Sequence, residues 1–288
     1  MAILVTRKSR VIVQGITGGA GSSHTKRMLK YGTQIVAGTS PGKGGELIHG
    51  VPVYDTVKEC VERHQADTSV IFLPARFVME AGIEAVRAGI KLIVVVPEHI
   101  PIADMLKLRQ EAQKCGSRIL GGNTAGVISP GQANVGIIPD VAFTPGRVGT
   151  VSRSGSLTYY IADTLTREGF GETTCVGLGG DPVLGSTFSE ILELFEADAD
   201  TKAIVLAGEI GGVYEEMATD TITTMKKPVI AMIGGLHAPP GKRMGHAGAI
   251  VEGQMGAAHS KLDALTEAGA HPALTFLDIP RILNHLQI

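Results

Sequence analysis

The sequence predicts an α/β protein made of two parallel-sheet domains in series, and three observations predict it. Short apolar runs alternate with helical patterns along most of the chain. Those runs are apolar without a two-residue period, as expected of strands covered by helices on both faces. The alternation breaks once, in a turn-rich stretch near the middle, and then restarts. A Rossmann-like domain is therefore expected over residues 1–125, a connection over 126–146, and a flavodoxin-like domain over 147–288.

The elements follow in order. "SRVIVQG" reads as a buried strand, and "SHTKRMLKYG" as a helix that stops at Gly32. "TQIVAGTS" is the next strand, and "DTVKECVERH" a helix opened by Asp55 as its cap. "TSVIFLP", "EAGIEAVRAG", "KLIVVVPE", "DMLKLRQEAQKCG" and "SRILGG" continue the alternation. "PGQANVGIIPDVAFTP" has no helical period and reads as the connection. The second domain then runs through "GRVGTVSRSG", "SLTYYIADTLTREG", "TTCVGLGG", "SEILELFEAD", "KAIVLAGEIGG", "YEEMATDTITTM" and "KPVIAMIGG".

Composition narrows the class of function. The 288 residues are 44% hydrophobic and 19% charged, enough to bury sizeable cores. With 26 basic against 28 acidic residues, the net charge of −2 argues against nucleic acid or an anionic membrane as a general partner. Cys60, Cys115 and Cys175 are odd in number and in no metal spacing, so they read as reduced thiols, and no metal site is expected on the chain. No apolar run approaches bilayer length, and the start runs directly into a strand rather than a signal peptide. A soluble protein of the cytoplasm, or of a mitochondrial matrix, is expected.

The loops that leave the strands carry the chemistry. "QGITGGAGSSH" has glycines where a strand turns into a helix, so backbone amides and the helix dipole face an incoming phosphate. It is not G-x-G-x-x-G, and no acidic residue closes the second strand to hold a ribose. Instead "SPGKGG" brings Lys43 to the same edge, which suits an additional phosphate better than it suits NAD. In "VVPEHIP", Glu98 stands where it either meets a ligand hydroxyl or amine, or caps the helix that begins near Ile102. "SRSGSLTYY" lacks the order of a serine nucleophile elbow. A helix starting at about Ser156 would instead direct free amides at a phosphoryl group.

"GEIGG" ends a strand with Glu209, and "GKRMGHAGAI" surrounds His246 with small residues. A carboxylate orienting an imidazole, beside a helix terminus able to take an anion, is what a phosphate-carrying histidine requires. No G-x-x-x-x-G-K-[ST] loop occurs, so a partner would have to load it.

These segments, taken together and in order, resemble the alpha-subunit family of succinyl-CoA synthetase along nearly the whole chain: "QGITG", "GTSPGKGG", "SRSGSLTY", "CVGLGGDP", "GEIGG" and "KRMGHAGAI". The resemblance implies a CoA-binding first domain, a phosphohistidine in the second, and a separate beta subunit with an ATP-grasp site for ATP or GTP with Mg2+. It implies that CoA is held by Thr17, Gly18, Gly19, Ala20 and Lys43, with Val96, Pro97, Glu98 and Asn123 nearby. It also implies His246 as phosphate carrier on a glycine-flanked loop, Glu209 as its orienting carboxylate, and Tyr159 against the acid, with Ser154, Gly155 and Ser156 beside it.

The chain departs from the family pattern at several points. "GGNTAG" keeps Asn123 but has Thr124 and Ala125 where the family has Cys-Pro; His99 replaces a glycine; Arg76 replaces a proline. Tyr160 stands in place of a glutamate, and Val213 in place of a small polar residue. An acid other than succinate (malate, citrate or a sulfur analogue) is therefore an alternative, as is a CoA-binding regulatory protein without turnover. An NAD(P)-dependent oxidoreductase is disfavoured by the absent fingerprint.

Overall fold

In a computed structural model of the chain, which describes residues 2–237, 245, 246 and 256–288, β1 (Val11–Gln14) is buried along its length at the centre of a sheet. The first domain continues through α1 (Gly19–Tyr31), β2 (Ile35–Thr39), β3 (Leu47–Ile48), β4 (Val51–Tyr54) and α2 (Val57–His64). It ends with β5 (Thr68–Ile71), α3 (Val78–Arg87), β6 (Leu92–Val95), α4 (Ile102–Cys115) and β7 (Arg118–Leu120). The strand order is β3-β4-β2-β1-β5-β6-β7, parallel except for the β3–β4 pair. The parallel strands point the same way, so the loops after β1, β2, β5 and β6 meet at one edge, where the order reverses about β1.

The second domain begins with β8 (Gly126–Ser129) and β9 (Ala133–Gly136), followed by β10 (Pro145–Ser152), α5 (Gly155–Arg167) and β11 (Glu172–Gly177). It continues with α6 (Phe188–Ala197), β12 (Ala203–Glu209), α7 (Thr219–Thr224) and β13 (Val229–Gly234), and closes with α8 (Ala258–Glu267), β14 (His271–Ala273) and α9 (Asp278–His285). Its order is β14-β13-β12-β10-β11-β8-β9, parallel over the first five. One buried cluster joins side chains of both sheets, including Val11 and Val13 from the first and Val151 and Leu206 from the second.

Three expectations are corrected. The stretch read as a connection supplies β8 and β9, a hairpin that pairs antiparallel to β11. These strands are buried on both faces, and Met28 of α1 lies against Gly136, so they lack the alternating pattern of a half-exposed hairpin. Asp55 does not cap α2; Thr56 does, in a reciprocal box with Glu59. Asp55 Oδ1 instead accepts from the amides of Gly42 and Gly44, at 2.7 and 3.1 Å, and so ties down the "PGKGG" loop. Finally, α5 begins at Gly155 with Ser154 as its cap, one residue before the expected start.

A buried carboxyl lies at the opposite end of β11. Glu172 is 1% exposed, accepts from Thr150 Oγ1 at 2.6 Å, and is pushed up to about 8 by burial. The folded state thus keeps a proton that the unfolded chain loses near 4.5, so stability falls as pH rises between those values. Glu172→Gln is expected to remove most of that slope. Melting curves at pH 6 and pH 8 should show the parent losing roughly 2–3 kcal/mol between them and the variant less than half as much.

Candidate active site

In the first domain the turn after β1 is set by sterics. A Cβ on Gly21 would stand 2.1 Å from the Gly15 carbonyl oxygen, so only glycine lets α1 start this close to the strand. Gly18 is the N-cap and brings no side-chain oxygen, which leaves the first-turn amides of α1 open to an external acceptor. Thr17 Oγ1 donates to Ser40 Oγ at 2.8 Å, joining this turn to the end of β2. Lys43 extends from the neighbouring loop, 54% exposed and 3.1 Å from Glu46. Beside them lies a cavity of about 370 Å3 lined by Gln14, Gly15, Thr39, Pro41, Leu73 and Phe77, with Asp55, Glu80 and Glu84 around it.

The segment after β6 links the two domains. Asn123, at φ 60°, donates its amide to the Pro97 carbonyl at 2.7 Å, and its own carbonyl accepts from Gly180 at 3.2 Å. Asp181, 2% exposed, accepts from the amides of His99 and Ile100, both at 3.2 Å. Glu98 is not a helix cap, for Pro101 holds that place; its carboxylate is 62% exposed and 3.8 Å from His99 Nε2. Thr124 Oγ1 donates to the Gly177 carbonyl at 2.6 Å and accepts from the Gly126 amide, so this hydroxyl serves the domain junction.

In the second domain the loops after β10, β11 and β12 converge in the same way. Glu209, the last residue of β12, is 7% exposed and has its Oε2 2.7 Å from Nδ1 of His246. An ionised carboxylate only accepts, so the imidazole donates from Nδ1 and leaves the Nε2 lone pair free. Packing fixes the ring as well: a Cβ on Gly180 would stand 2.5 Å from His246 Cγ. The Glu209 hydrogen bond raises the histidine's affinity for a proton above the ordinary 6.5, while burial works against it. Arg153, 3% exposed, lies with Nη2 3.2 Å from Glu209 Oε1, an ion pair without good hydrogen-bond alignment.

Sequence reasoning thus named the pair Glu209–His246, and the fold brings it together across 37 positions. Tyr159 is half-buried, packs with Ile128, Ile138 and Phe143, and has no hydrogen-bond partner for its hydroxyl among the described residues. Tyr160 is 58% exposed and stacks on Phe276 at 5.4 Å. The glycine-flanked loop expected over 241–250 lies outside the described residues except for Gly245 and His246. Sequence reasoning missed Arg153, Asp181, Glu215 and Lys261. Lys261 had a signal: it falls on the apolar stripe of α8 with Ala258, Leu262 and Leu265.

Family models match both domains: "CoA binding domain" over residues 6–99 and "CoA-ligase" over residues 151–271. The chain is 54% identical to succinate–CoA ligase [ADP-forming] subunit alpha 1 of Archaeoglobus fulgidus, across 97% of this chain and 96% of that one. The chain belongs to the succinate–CoA ligase alpha-subunit family. Another relative, the succinate–CoA ligase [ADP-forming] subunit alpha of Aquifex aeolicus, is 48% identical over 100% of this chain and 97% of its own. Among solved structures, ATP citrate lyase from Methanothrix soehngenii, in complex with citrate and coenzyme A, superposes with a TM-score of 0.90 at 25% identity. That match covers 99% of this chain but 50% of the lyase chain. The order of domains is that of the family: a Rossmann-like CoA-binding unit, then a flavodoxin-like CoA-ligase unit. No helix among the described residues is long and apolar enough to cross a membrane.

Proposed function

We propose that this chain is the alpha subunit of a nucleoside-diphosphate-forming succinate–CoA ligase of the cytoplasm, in which His246 carries phosphate between a nucleotide bound by a beta subunit and the acid. The observation that carries the reading is the 2.7 Å contact of Glu209 with His246 Nδ1, which leaves Nε2 as a nucleophile. Nε2 attacks the terminal phosphorus of the nucleotide; an N–P bond forms, the P–O bond to the diphosphate breaks, and the diphosphate leaves. The acid's carboxylate then takes the phosphoryl group, giving an acyl phosphate and restoring neutral His246. The CoA thiolate attacks the acyl carbon, a thioester forms, and inorganic phosphate departs. Positioning and charge stabilisation account for most of the acceleration in such transfers.

The first domain supplies CoA. The open amides at Gly19, Ala20 and Gly21 suit a phosphate, and Lys43 suits a second one. The cavity beside them, apolar with carboxylates around it, suits a base bearing an exocyclic amine. Val96, Pro97, Glu98 and Asn123 line the route toward the second domain, and Asp181 ties that route to Gly180, against which His246 packs. Tyr159, with Ser154, Gly155 and Ser156 at the start of α5, is assigned to the acid and its phosphoryl group.

Intact-mass spectrometry of the chain co-purified with its beta subunit and given ATP or GTP tests this reading. An acid-labile phosphate at His246, discharged by succinate and CoA and not by malate or citrate, is the expected result. Discharge by malate or citrate alone would reassign the acid. Absence of phosphate while the partner holds nucleotide would overturn the ligase mechanism in favour of a CoA-binding regulator.

The pH dependence is a second check. Only neutral His246 is nucleophilic, and its proton affinity is raised, so the rate of phosphorylation should climb with pH through a midpoint above 6.5. Glu209→Gln weakens the hydrogen bond to the charged ring. Its midpoint should fall by about one unit, with the plateau rate lower by roughly 10–100-fold. Rapid-quench phosphorylation at a series of pH values reads both.

A further inference from the structure

Behind Glu209 lies a group of buried charges that the steps above do not use. Glu215 is fully buried and receives hydrogen bonds or ion pairs from two elements and the turn after β10. The backbone amide of Glu209 donates to its Oε1 at 3.1 Å, Arg153 Nη1 lies 3.5 Å from the same oxygen, and Lys261 Nζ of α8 donates to its Oε2. Lys261 has 0% exposure and also reaches Glu216 at 3.1 Å. Arg153 completes the set: Nη1 donates to the Gly211 carbonyl at 3.2 Å, and Nη2 faces Glu209 Oε1. Gly208 makes the arrangement possible, because a Cβ there would stand 2.6 Å from Glu215 Cγ.

The signs alternate from Lys261 through Glu215 and Arg153 to Glu209, and Glu209 Oε2 then meets His246. Burying four ionised groups costs desolvation, and apolar residues of equal volume would often give at least equal stability. What apolar residues would not do is hold one carboxylate oxygen at a fixed point. Glu209 is held by its backbone through Glu215 and by its side chain through Arg153, and Glu215 itself is balanced by Lys261. We propose that Glu215 and Lys261 are positioning residues for His246, acting through Arg153 and Glu209 to hold the imidazole in the Nδ1–H tautomer with Nε2 free. Their meaning for turnover rests on the phosphohistidine reading above.

Among the described residues, the charged groups that face His246 are Glu209 from β12, Arg153 from the turn after β10, and Asp181 from the segment after β11. A change at Glu215 or Lys261 reaches the ring through the first two. Without the Glu215 charge, Arg153 is drawn wholly to Glu209, which then accepts less strongly from the imidazole. Without the Lys261 charge, Glu215 draws Arg153 away, and Glu209 accepts more strongly. The two losses therefore act on His246 in opposite directions, and together they cancel.

The test uses the full chain, 15N-labelled at histidine, in Glu215→Gln, Lys261→Met and the double variant. Ring-nitrogen NMR titrations follow the midpoint and tautomer of His246. Glu215→Gln should lower the midpoint, and Lys261→Met raise it, each by about half a unit or more; the double variant should return close to the parent. With the beta subunit and ATP, each single variant should phosphorylate His246 at least about tenfold more slowly. Midpoints that stay at the parent value, or shift in the same direction in both single variants, would overturn the proposal and leave a structural role only. Should one single variant not fold, the shift between the other and the double variant decides by its sign, and no shift there also overturns it. The titration needs no partner, nucleotide or turnover. A parent chain that never takes phosphate therefore defeats the proposed function without deciding this inference.

Discussion

His246→Asn is expected to abolish phosphoryl uptake and thioester formation while leaving CoA affinity within about twofold of the parent, since the proposed CoA and phosphate sites lie in different domains. The asparagine amide can still donate to Glu209, so the buried carboxylate keeps a partner and the fold should survive. On the proposed mechanism what disappears is the nucleophile, and losses of at least about 10^4-fold in turnover follow when a nucleophile acting as part of a unit is removed. Calorimetry with CoA and an assay of thioester formation with the beta subunit measure the two quantities separately. Turnover retained in this variant would disprove the phosphohistidine mechanism. Loss of CoA binding together with turnover would mean that the substitution had disturbed the junction at Asp181 and Gly180, where His246 packs against the segment that holds the first domain.

The second large effect is on stability. Arg153→Met removes the cation that faces both Glu209 and Glu215, which are 7% and 0% exposed. Methionine fills much of the arginine's volume, so the cost is electrostatic: two buried carboxylates lose a counter-charge, and Glu215 keeps Lys261 and the Glu209 amide. Breaking a buried pair in this way costs about 3–5 kcal/mol. For a chain of this size a fall in Tm on the order of 6–15 °C follows. The sign of the pH dependence is also defined. Uncompensated burial raises the proton affinity of carboxylates, so in the variant the folded state binds protons that the unfolded chain has lost at neutral pH. The deficit should therefore shrink as pH falls toward 5. Melting curves of parent and variant at pH 5 and pH 7.5 measure it. A deficit below about 1 kcal/mol, or one that grows toward pH 5, would show that Arg153 is not the counter-charge of this core.

The pattern of residues along the chain was sufficient for much of this protein, because the signals concerned are local. Apolar runs such as "VIV" and "LIVVV" have one low-energy use in a chain of this composition, as strands covered on both faces. Glycines at strand ends leave little alternative to close backbone turns, and the sterics at Gly21 bear that out. Glu209 and His246 were legible as a candidate pair because a strand-end carboxylate and a glycine-flanked imidazole are each poorly explained by packing, and the fold brings the two into contact.

What only the tertiary structure decided depends on contacts between distant positions. The hairpin β8–β9 is a strand pair because α1 and β11 bury both its faces, and that burial erases the periodicity by which a hairpin is recognised. Asp55 stands just before a helix, where capping is the default expectation, yet the neighbouring loop offers two amides at 2.7 and 3.1 Å while Thr56 satisfies the helix. The pairing of His246 with Glu209, and of Glu215 with Arg153 and Lys261, spans from 37 to 62 positions. A sequence carries no direct record of such distances. They follow from parallel strands that bring their C-terminal ends to one edge, and from the cost of burying charge, which leaves each of these groups stable only beside its opposite.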